Sequence, residues 1–278
     1  MRDAVYDQLA SVEDRLWWHE SRRNLVRSFF RKISFPDDAA ALDVGCGTGG
    51  CLKLLSEFAS RVVGIDMSKH ALELARGKHP RAELHQGDAN ALNKQFQDET
   101  FDLVTFFNVL YHEWIENDAD ALRQAWRVLR PGGVILVTDA AFDCLYRRHD
   151  RVGMGKRRYT LPAMRERLEQ AGFEWLGGTY FNMVLFAPVW LLALRDRLWP
   201  ERDSNAPLGE LAVPPFPISQ AMKFLMTCER AAIRVFGRLP FGVTLLAIAR
   251  RPDEIEAGPA PLGKRRVEQH VTGEVIHA

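Results

Sequence analysis

A glycine-rich loop flanked by two carboxylates is the part of the sequence best suited to hold a ligand. Gly45, Gly47 and Gly49 lie in ALDVGCGTGG, directly after an apolar run, and glycines let a backbone turn sharply and approach a ligand closely. Asp43 precedes the loop, and Asp66 ends the next apolar run about 20 residues beyond it. A carboxylate at that second position offers two acceptor oxygens to the two hydroxyls of a ribose. The loop also fits the GxGxxG pattern of dinucleotide-binding proteins, so by itself it does not distinguish between adenosine cofactors.

The elements that position these residues are predicted by a repeat of short apolar runs, each followed by a helical stretch. Such βαβ repeats predict a parallel sheet. Seven strands are expected, at 40–44, 61–65, 82–85, 101–107, 134–138, 173–181 and 242–250. A helix over 161–171, ended by Gly172, separates the fifth strand from the sixth. The predicted fold class is α/β, with a Rossmann-like, doubly wound sheet of seven strands that is mostly parallel and has an antiparallel last strand.

These strands divide the chain into a core and three additions. Residues 1–39 carry apolar positions at helical spacing and predict a helical lead-in, while 40–182 and 241–251 form the cofactor-binding core. The connection between strands six and seven is far longer than an ordinary loop. We therefore expect a helical cap over 183–240, on the substrate side. The tail at 252–278 is rich in charge, glycine and proline and is predicted to be disordered.

Composition excludes several classes of protein. Lys and Arg (37) nearly balance Asp and Glu (36), so no overall positive field favours a nucleic-acid partner. The four cysteines form no CxxC pair, which argues against a metal site and favours a reducing, cytoplasmic setting. The longest apolar run, 183–194, is shorter than the about 20 residues of a membrane span. We expect a monomer or homodimer without a metal or a membrane span, and peripheral membrane contact stays open.

Four segments between Ala41 and Ala140 resemble, in order and spacing, the motifs of class I methyltransferases of type 11 that depend on S-adenosylmethionine (SAM). The segments are ALDVGCGTGG, VVGIDMS, HQGDANAL, and the stretch from FDLVTFFNVLYH to LRPGGVILVTDA. The resemblance implies SAM as cofactor, with its amino acid part near Asp43, its ribose on Asp66 and its adenine beside Asp88 and Ala89. The other cofactor contacts implied are Gly45, Cys46, Gly47, Met67 and Asn108.

The segment WWHESRRNLV, before the first strand, resembles the lead-in helix of one methyltransferase subgroup, found with cell-envelope glycan, lipid and natural-product pathways. There an aromatic residue closes over the cofactor and an arginine meets the carboxylate of its methionine part. This implies Trp18 and, of the two arginines, Arg23 ahead of Arg22. A guanidinium suits a carboxylate because it donates two parallel hydrogen bonds. A solvated basic face, with the tryptophans buried in packing, is the alternative.

The reaction that the resemblance implies is methyl transfer to O or N of a small, partly apolar molecule, such as a natural-product, lipid-linked or sugar intermediate. An O–H or N–H acceptor loses a proton, so a base would help. His112 is the candidate base, because it follows strand four, at the edge where such sheets bind ligands, and its usual pKa leaves it mostly neutral. Tyr111 and Tyr159 are further candidates, each better suited to form a pocket wall.

The cap is expected to supply an apolar acceptor pocket, from the run at 183–194 and the helix around Met222, Phe224, Leu225 and Met226. These stripes could instead pack together or form a dimer seam. Three other functions stay open: a methyltransferase fold that uses SAM for cyclisation or decarboxylation, a non-enzymatic scaffold, and a nicotinamide oxidoreductase. A scaffold would have no need of the glycine loop and its two acids.

Overall fold

A computed structural model describes residues 3–199 and 215–253 of the chain. The described strands are β1 (Ala40–Val44), β2 (Arg61–Asp66), β3 (Glu83–Gln86), β4 (Phe101–Phe107), β5 (Leu129–Ala140), β6 (Glu174–Phe181) and β7 (Thr244–Arg250). They form one sheet in the order β3-β2-β1-β4-β5-β7-β6. Strands β1 to β5 run parallel, and β7 is antiparallel to its neighbours β5 and β6. The predicted Rossmann-like α/β sheet with an antiparallel last strand is confirmed.

The described helices are α1 (Asp3–Val12), α2 (Trp17–Phe30), α3 (Leu52–Leu55), α4 (Lys69–Lys78), α5 (Asp118–Val128), α6 (Arg148–Val152), α7 (Leu161–Gln170), α8 (Phe186–Leu198) and α9 (Phe216–Phe236). Three of them begin where the sequence supplies an N-cap. Ser68, Asn117 and Thr160 each accept a hydrogen bond from a backbone N–H in the first turn of α4, α5 and α7. These caps fix the residues at which the three helices begin.

Helices cover both faces of the sheet. On one face, the core joins the strands to α5 and α7 through residues such as Leu122 and Leu168. On the other, it joins them to α2, α3 and α9 through Phe30, Leu55 and Ile233. Every residue of β1 and β4 is buried, as expected for central strands covered on both sides. The chain order reverses between these two strands, and sheets of this type bind ligands beyond the carboxyl ends of the strands at such a point.

Strand β5 is longer than the predicted 134–138. It begins at Leu129, which pairs with Phe101, and the register then shifts before Leu103 pairs with Val134. The sequence predicts a turn at Pro131–Gly133, but here these residues form an irregularity within the strand. Such a bulge lets extra residues enter one strand without ending the pairing.

The two helices between β6 and β7 do not both lie above the cofactor edge, as the predicted cap would require. Helix α9 contacts α2, and its Ile233 packs in the core with Leu246 and Ile248 of β7, so this helix covers a face of the sheet. Phe224 is 68% exposed and Leu225 is 39% exposed, so the expected pocket wall around them is wrong. The buried positions of α9 point to the sheet, which leaves those two side chains on the outer side.

Part of the predicted connection, 200–214, and most of the predicted tail, 254–278, lie outside the described residues. None of the described helices combines the length and apolar composition that crossing a membrane requires.

Candidate functional site

A cavity of about 1220 Å³ lies at the carboxyl ends of β1, β2 and β4. Helices α1 and α2 border it on one side, and the start of α8 borders it on the other. Sites for a single small ligand usually have about 300–1,000 Å³. The cavity is therefore large enough for two molecules side by side.

The glycine loop is held against β2 and the loop after β4. The backbone N–H groups of Gly45 and Cys46 both donate to the Ile65 carbonyl, at 2.8 and 3.0 Å. Gly45 has φ +70°, and a Cβ added to it would lie 2.6 Å from Cγ2 of Val109. Both the left-handed backbone and this close approach require glycine here. Cys46 lines the cavity, and burial raises the pKa of its thiol well above the usual value.

Asp66 joins the end of β2 to the glycine loop. One carboxylate oxygen accepts the N–H of Gly47 at 2.8 Å, and the other accepts the N–H of Ser68 at 2.8 Å. Burial raises the pKa of Asp66, although these two N–H groups lower it. Each carboxylate oxygen has a second lone pair, so Asp66 can still accept two hydrogen bonds from a ligand in the cavity. Met67, next along the chain, also lines the cavity and is 52% exposed.

Asp43 is the most deeply buried acid of the cavity. It is the next-to-last residue of β1, and its Oδ1 accepts a hydrogen bond from the Thr105 hydroxyl of β4 at 2.8 Å. Burial raises the pKa of the Asp43 carboxyl to about 7, although the Thr105 hydrogen bond and the charge of Arg22 lower it. A cationic group bound next to Asp43 would favour the ionised carboxylate.

The raised pKa of Asp43 predicts a pH dependence of stability without ligand. The unfolded chain loses this proton near pH 3.9, about the usual pKa, and the folded protein holds it to about pH 7. The folded state binds more protons in that window, so stability is highest below it and falls as pH rises through it. We expect Asp43→Asn to raise the free energy of unfolding relative to wild type, and with it Tm, more at about pH 8 than at about pH 5. The gain in free energy should differ between the two pH values by on the order of 2 kcal/mol. The measurement is thermal unfolding of both proteins at the two pH values. If variant and wild type differed by the same amount at both, the prediction would be contradicted.

Helix α2 places an arginine in the cavity. Arg22 is 7% exposed, and its Nη1 donates to Oδ1 of Asn108 at 2.8 Å. Its Nη2 lies 3.3 Å from Nδ1 of His19, and its guanidinium lies 5.9 Å from the ring centroid of Trp18. Asn108 follows β4 with φ +60° and lines the cavity together with Trp18. A buried guanidinium beside neutral partners can bind an anionic group of a ligand.

The other end of the cavity is aromatic and aliphatic, with polar groups among its walls. Tyr111, His112 and Trp114 line it from the loop after β4, and Leu185 and Val189 line it from the start of the inserted helices. His112 stacks between the two other rings, with centroids at 4.2 and 5.2 Å. Burial lowers the pKa of His112 to about 4, although backbone contacts raise it. The imidazole is therefore neutral at physiological pH.

A buried carboxylate of β5 holds this aromatic loop. Asp139 accepts the N–H of Tyr111 at 3.1 Å and the N–H of Ala140 at 2.9 Å. Burial raises the pKa of Asp139 to about 8, although these N–H groups lower it. Burial, together with the charges of Asp139 and Asp150, raises the pKa of the Tyr111 phenol well above its usual range. The Tyr111 hydroxyl is thus neutral at physiological pH.

The comparisons with known proteins agree with this geometry. Residues 42–137 match the family described as methyltransferase domain. A malonyl-[acyl-carrier protein] O-methyltransferase from Enterobacter lignolyticus is 34% identical over 127 residues, which are 46% of this chain and 49% of that protein. An O-methyltransferase, cnsE, from Penicillium expansum is 35% identical over 155 residues, 51% of this chain and 55% of that protein. The chain spans about half the length of these curated relatives.

The fold extends further than the sequence match. A chain from the complex between the Haloferax volcanii Trm112 methyltransferase activator and a methyltransferase superposes with a TM-score of 0.59 at 19% identity. The superposition covers 91% of this chain and 96% of that chain. Residues 42–137 of this chain thus form a methyltransferase domain of the kind found in class I SAM-dependent methyltransferases. SAM is the cofactor of the family.

Most of the cofactor residues predicted from the sequence line one cavity. They are Trp18, Asp43, Gly45, Cys46, Gly47, Asp66, Met67, Ala89 and Asn108. The two candidate catalytic residues, Tyr111 and His112, line the same cavity at its aromatic end. That these residues bind SAM or take part in methyl transfer stays a prediction.

Two predicted cofactor residues do not line the cavity. Arg23 Nη1 donates to the carbonyl of Gly50 at 3.3 Å, and the arginine that enters the cavity is Arg22. The preference for Arg23 is therefore corrected to Arg22. Asp88 borders the cavity only through its neighbours Gly87 and Ala89, and its Oδ1 caps the following turn by accepting the N–H of Asn90 at 2.8 Å. Its contact with adenine stays a prediction.

The basic segment at 156–160 makes structural contacts, and its Arg158 also lines the cavity. Arg158 forms a buried ion pair with Asp150, and the Tyr159 hydroxyl donates to Asp118 at 2.9 Å. Tyr159 is 2% exposed and does not line the cavity, so it is not available as a catalytic residue. Among the residues that the structure describes, no group of three or more His, Cys, Asp or Glu side chains is arranged to hold a metal ion.

One acid that was not predicted from the sequence, Glu13, links the end of α1 to the glycine loop. Glu13 is buried and accepts hydrogen bonds from the Thr48 hydroxyl at 2.8 Å and from Lys78 Nζ at 2.6 Å. Glu13 directly follows the apolar stripe of α1. An acid beside such a stripe is the sequence feature from which its burial could have been predicted. The lead-in thus closes one wall of the cavity through a buried ion pair.

Proposed function

We propose that this chain is a cytoplasmic methyltransferase that moves the methyl group of SAM to O or N of a small, partly apolar molecule. The observation that carries the proposal is the continuity of the cavity. Its acidic end, with Asp43, Asp66 and Arg22, continues into an aromatic and aliphatic end with His112. One space thus offers partners for a cofactor and, beside it, walls for an acceptor.

The residues of the acidic end fit SAM. The two oxygens of Asp66 retain one lone pair each for the ribose hydroxyls. Asp43 would ionise beside the cationic amino acid part, and Arg22 would pair with its carboxylate. SAM, when bound, supplies a methyl group activated by the sulfonium. The chain then has to align the acceptor with that carbon and exclude water.

The aromatic end suits the second substrate. Tyr111 and Trp114 offer ring faces, while Leu185 and Val189 offer aliphatic surface. Balanced overall charge gives a nucleic-acid acceptor no advantage. The unpaired cysteines, two of them buried, suit a reducing setting such as the cytoplasm.

The proposal is tested by titration calorimetry followed by transfer of label. We expect SAM and S-adenosylhomocysteine to bind, and NAD not to bind. Incubation with methyl-labelled SAM and a small-molecule extract of the native host should label a product that is heavier by one methylene group. Binding of NAD in place of SAM would contradict the proposal. A product of unchanged mass whose formation requires SAM would instead favour cyclisation or decarboxylation.

His112 is proposed to take the proton that the acceptor loses. With a pKa of about 4, the neutral imidazole is present above about pH 5, so no loss of activity near pH 6 should come from its protonation. We expect His112→Gln to lower kcat about a hundredfold, in the usual range for general base catalysis. The Kd of SAM should stay within about twofold.

A conservative variant separates the base from its neighbour. Tyr111→Phe removes only a hydroxyl whose pKa is too high for proton abstraction, so we expect a smaller loss of kcat than for His112→Gln. Full turnover of His112→Gln, measured with labelled SAM, would rule out the base role.

A further inference from the structure

Asn182, directly after β6, holds a backbone conformation that residues other than glycine rarely adopt. Its φ and ψ are +59° and +40°, in the left-handed region. A non-glycine residue is strained there, although asparagine tolerates it better than most. Such strain persists where the surrounding structure enforces it, and it recurs at functional sites. Asn182 is not among the site residues predicted from the sequence.

The inserted helix α9 enforces the conformation through a buried carboxylate. Oε1 of Glu229 accepts the N–H of Asn182 at 2.5 Å, and Oε2 accepts the N–H of Met183 at 2.8 Å. Glu229 is 7% exposed. Burial raises the pKa of Glu229, although these N–H groups lower it. Because burying a carboxylate is costly unless it is well bonded, this contact fixes the Asn182 backbone at the cavity wall.

The side chain of Asn182 is only half used. Its Nδ2 donates to the hydroxyl of Thr244 at 3.3 Å, while Oδ1 is buried and has no hydrogen-bond partner in the part of the chain that the structure describes. Asn182 is 6% exposed, and both residues line the cavity. A buried acceptor without a partner is destabilising, so its presence in a folded protein calls for an explanation.

We propose that Asn182 binds the acceptor molecule: its carboxamide oxygen accepts a hydrogen bond from an O–H or N–H group of the acceptor. This inference rests on the proposed function and adds a chemical class to it. The same cavity is lined by Tyr111, Trp114 and Leu185. The acceptor is thus a largely aromatic or apolar molecule that carries a hydroxyl or an amine hydrogen.

The proposal gives Asn182 control over specificity. A site built to bond a hydroxyl or amine discriminates strongly against an analogue without it, because the buried oxygen then stays unpaired. An apolar pocket alone discriminates weakly between such analogues. Removing the Asn182 side chain should therefore abolish the discrimination and leave the apolar contribution to binding in place.

The test uses 2-naphthol and 2-methylnaphthalene, a pair of the same shape that differs in the hydroxyl. Their affinities are measured on the full chain saturated with S-adenosylhomocysteine. For wild type we expect 2-naphthol to bind at least about tenfold more tightly. Asn182→Gly, which relieves the left-handed strain and removes the carboxamide, should reduce that preference to about threefold or less, with an unchanged Kd for S-adenosylhomocysteine. Asn182→Asp, which keeps an acceptor oxygen and tolerates the left-handed region, should retain the preference.

The outcomes separate this inference from the proposed function. If S-adenosylhomocysteine does not bind wild type, the proposed function fails, and the inference that depends on it fails too. If S-adenosylhomocysteine binds but wild type shows no preference for 2-naphthol, the inference alone is overturned. A preference that persists in Asn182→Gly overturns it as well.

Discussion

Asp66→Asn is expected to weaken SAM binding at least about a hundredfold. Two hydrogen bonds between ribose hydroxyls and a carboxylate contribute on the order of 1.5–3 kcal/mol each. The substitution removes the charge and replaces one acceptor oxygen with an amide group that donates hydrogens. That amide would then face the N–H of Gly47 or Ser68, each of which now donates to the carboxylate at 2.8 Å. The loss therefore combines weaker ribose contacts with a less well-held glycine loop.

The measurement compares nucleosides with and without ribose hydroxyls. Adenosine should lose affinity for Asp66→Asn, while 2′,3′-dideoxyadenosine should bind wild type and variant about equally. Asp102→Asn is the matched control, because Asp102 is also buried and accepts a backbone N–H, from Ala40 at 2.8 Å, but at the opposite edge of the sheet. It should lower Tm and leave the Kd of SAM unchanged. Equal losses for both nucleosides would place Asp66 away from the ribose.

The cofactor end of the cavity could be predicted from the sequence because its geometry is set by consecutive βα units. Parallel neighbouring strands end at the same edge, so Asp43 and Asp66 must come close to the loop between them. No long-range packing detail is needed for that conclusion. The only information required is the order of the apolar runs and the glycines.

The acceptor end could not be predicted in the same way. Its polar wall depends on a contact between Asn182, which follows β6, and Glu229, which lies on α9 within the long insertion between β6 and β7. Helix α9 is amphipathic, but its pattern states only that one side is buried. Whether that side meets a sheet face or the cofactor edge depends on tertiary packing, and here Ile233 meets β7.

The choice between the two adjacent arginines was predictable, and the signal lay in the helix phase. Leu25 and Val26 are buried in α2, and residues three and four apart share one side of a helix. Arg22 is three residues before Leu25 and four before Val26, so both buried residues share its side of the helix, whereas of these two Arg23 has such a spacing to Val26 alone. Arg23 is rotated by one residue, about 100° around the axis.

Arg22→Met is the variant that tests this correction, with Arg23→Met as its control on the same helix. Truncating one partner of a buried, hydrogen-bonded charge pair costs about 2–5 kcal/mol. If Arg22 pairs with the carboxylate of SAM, we expect the Kd of SAM to rise by a factor of about 30 or more. Arg23→Met removes an equal charge that donates to the Gly50 carbonyl at 3.3 Å and does not line the cavity, and it should change the Kd by less than about threefold.

A ligand without the carboxylate separates direct binding from a structural effect of Arg22. The guanidinium also holds Asn108 and His19, so its loss could disturb the cavity wall. 5′-Methylthioadenosine contains the nucleoside and sulfur of SAM but has no amino acid part. Its affinity should be equal for wild type and Arg22→Met if the arginine acts on the carboxylate. A parallel loss for both ligands would mean that Arg22 only supports the wall, and the carboxylate would then need another partner.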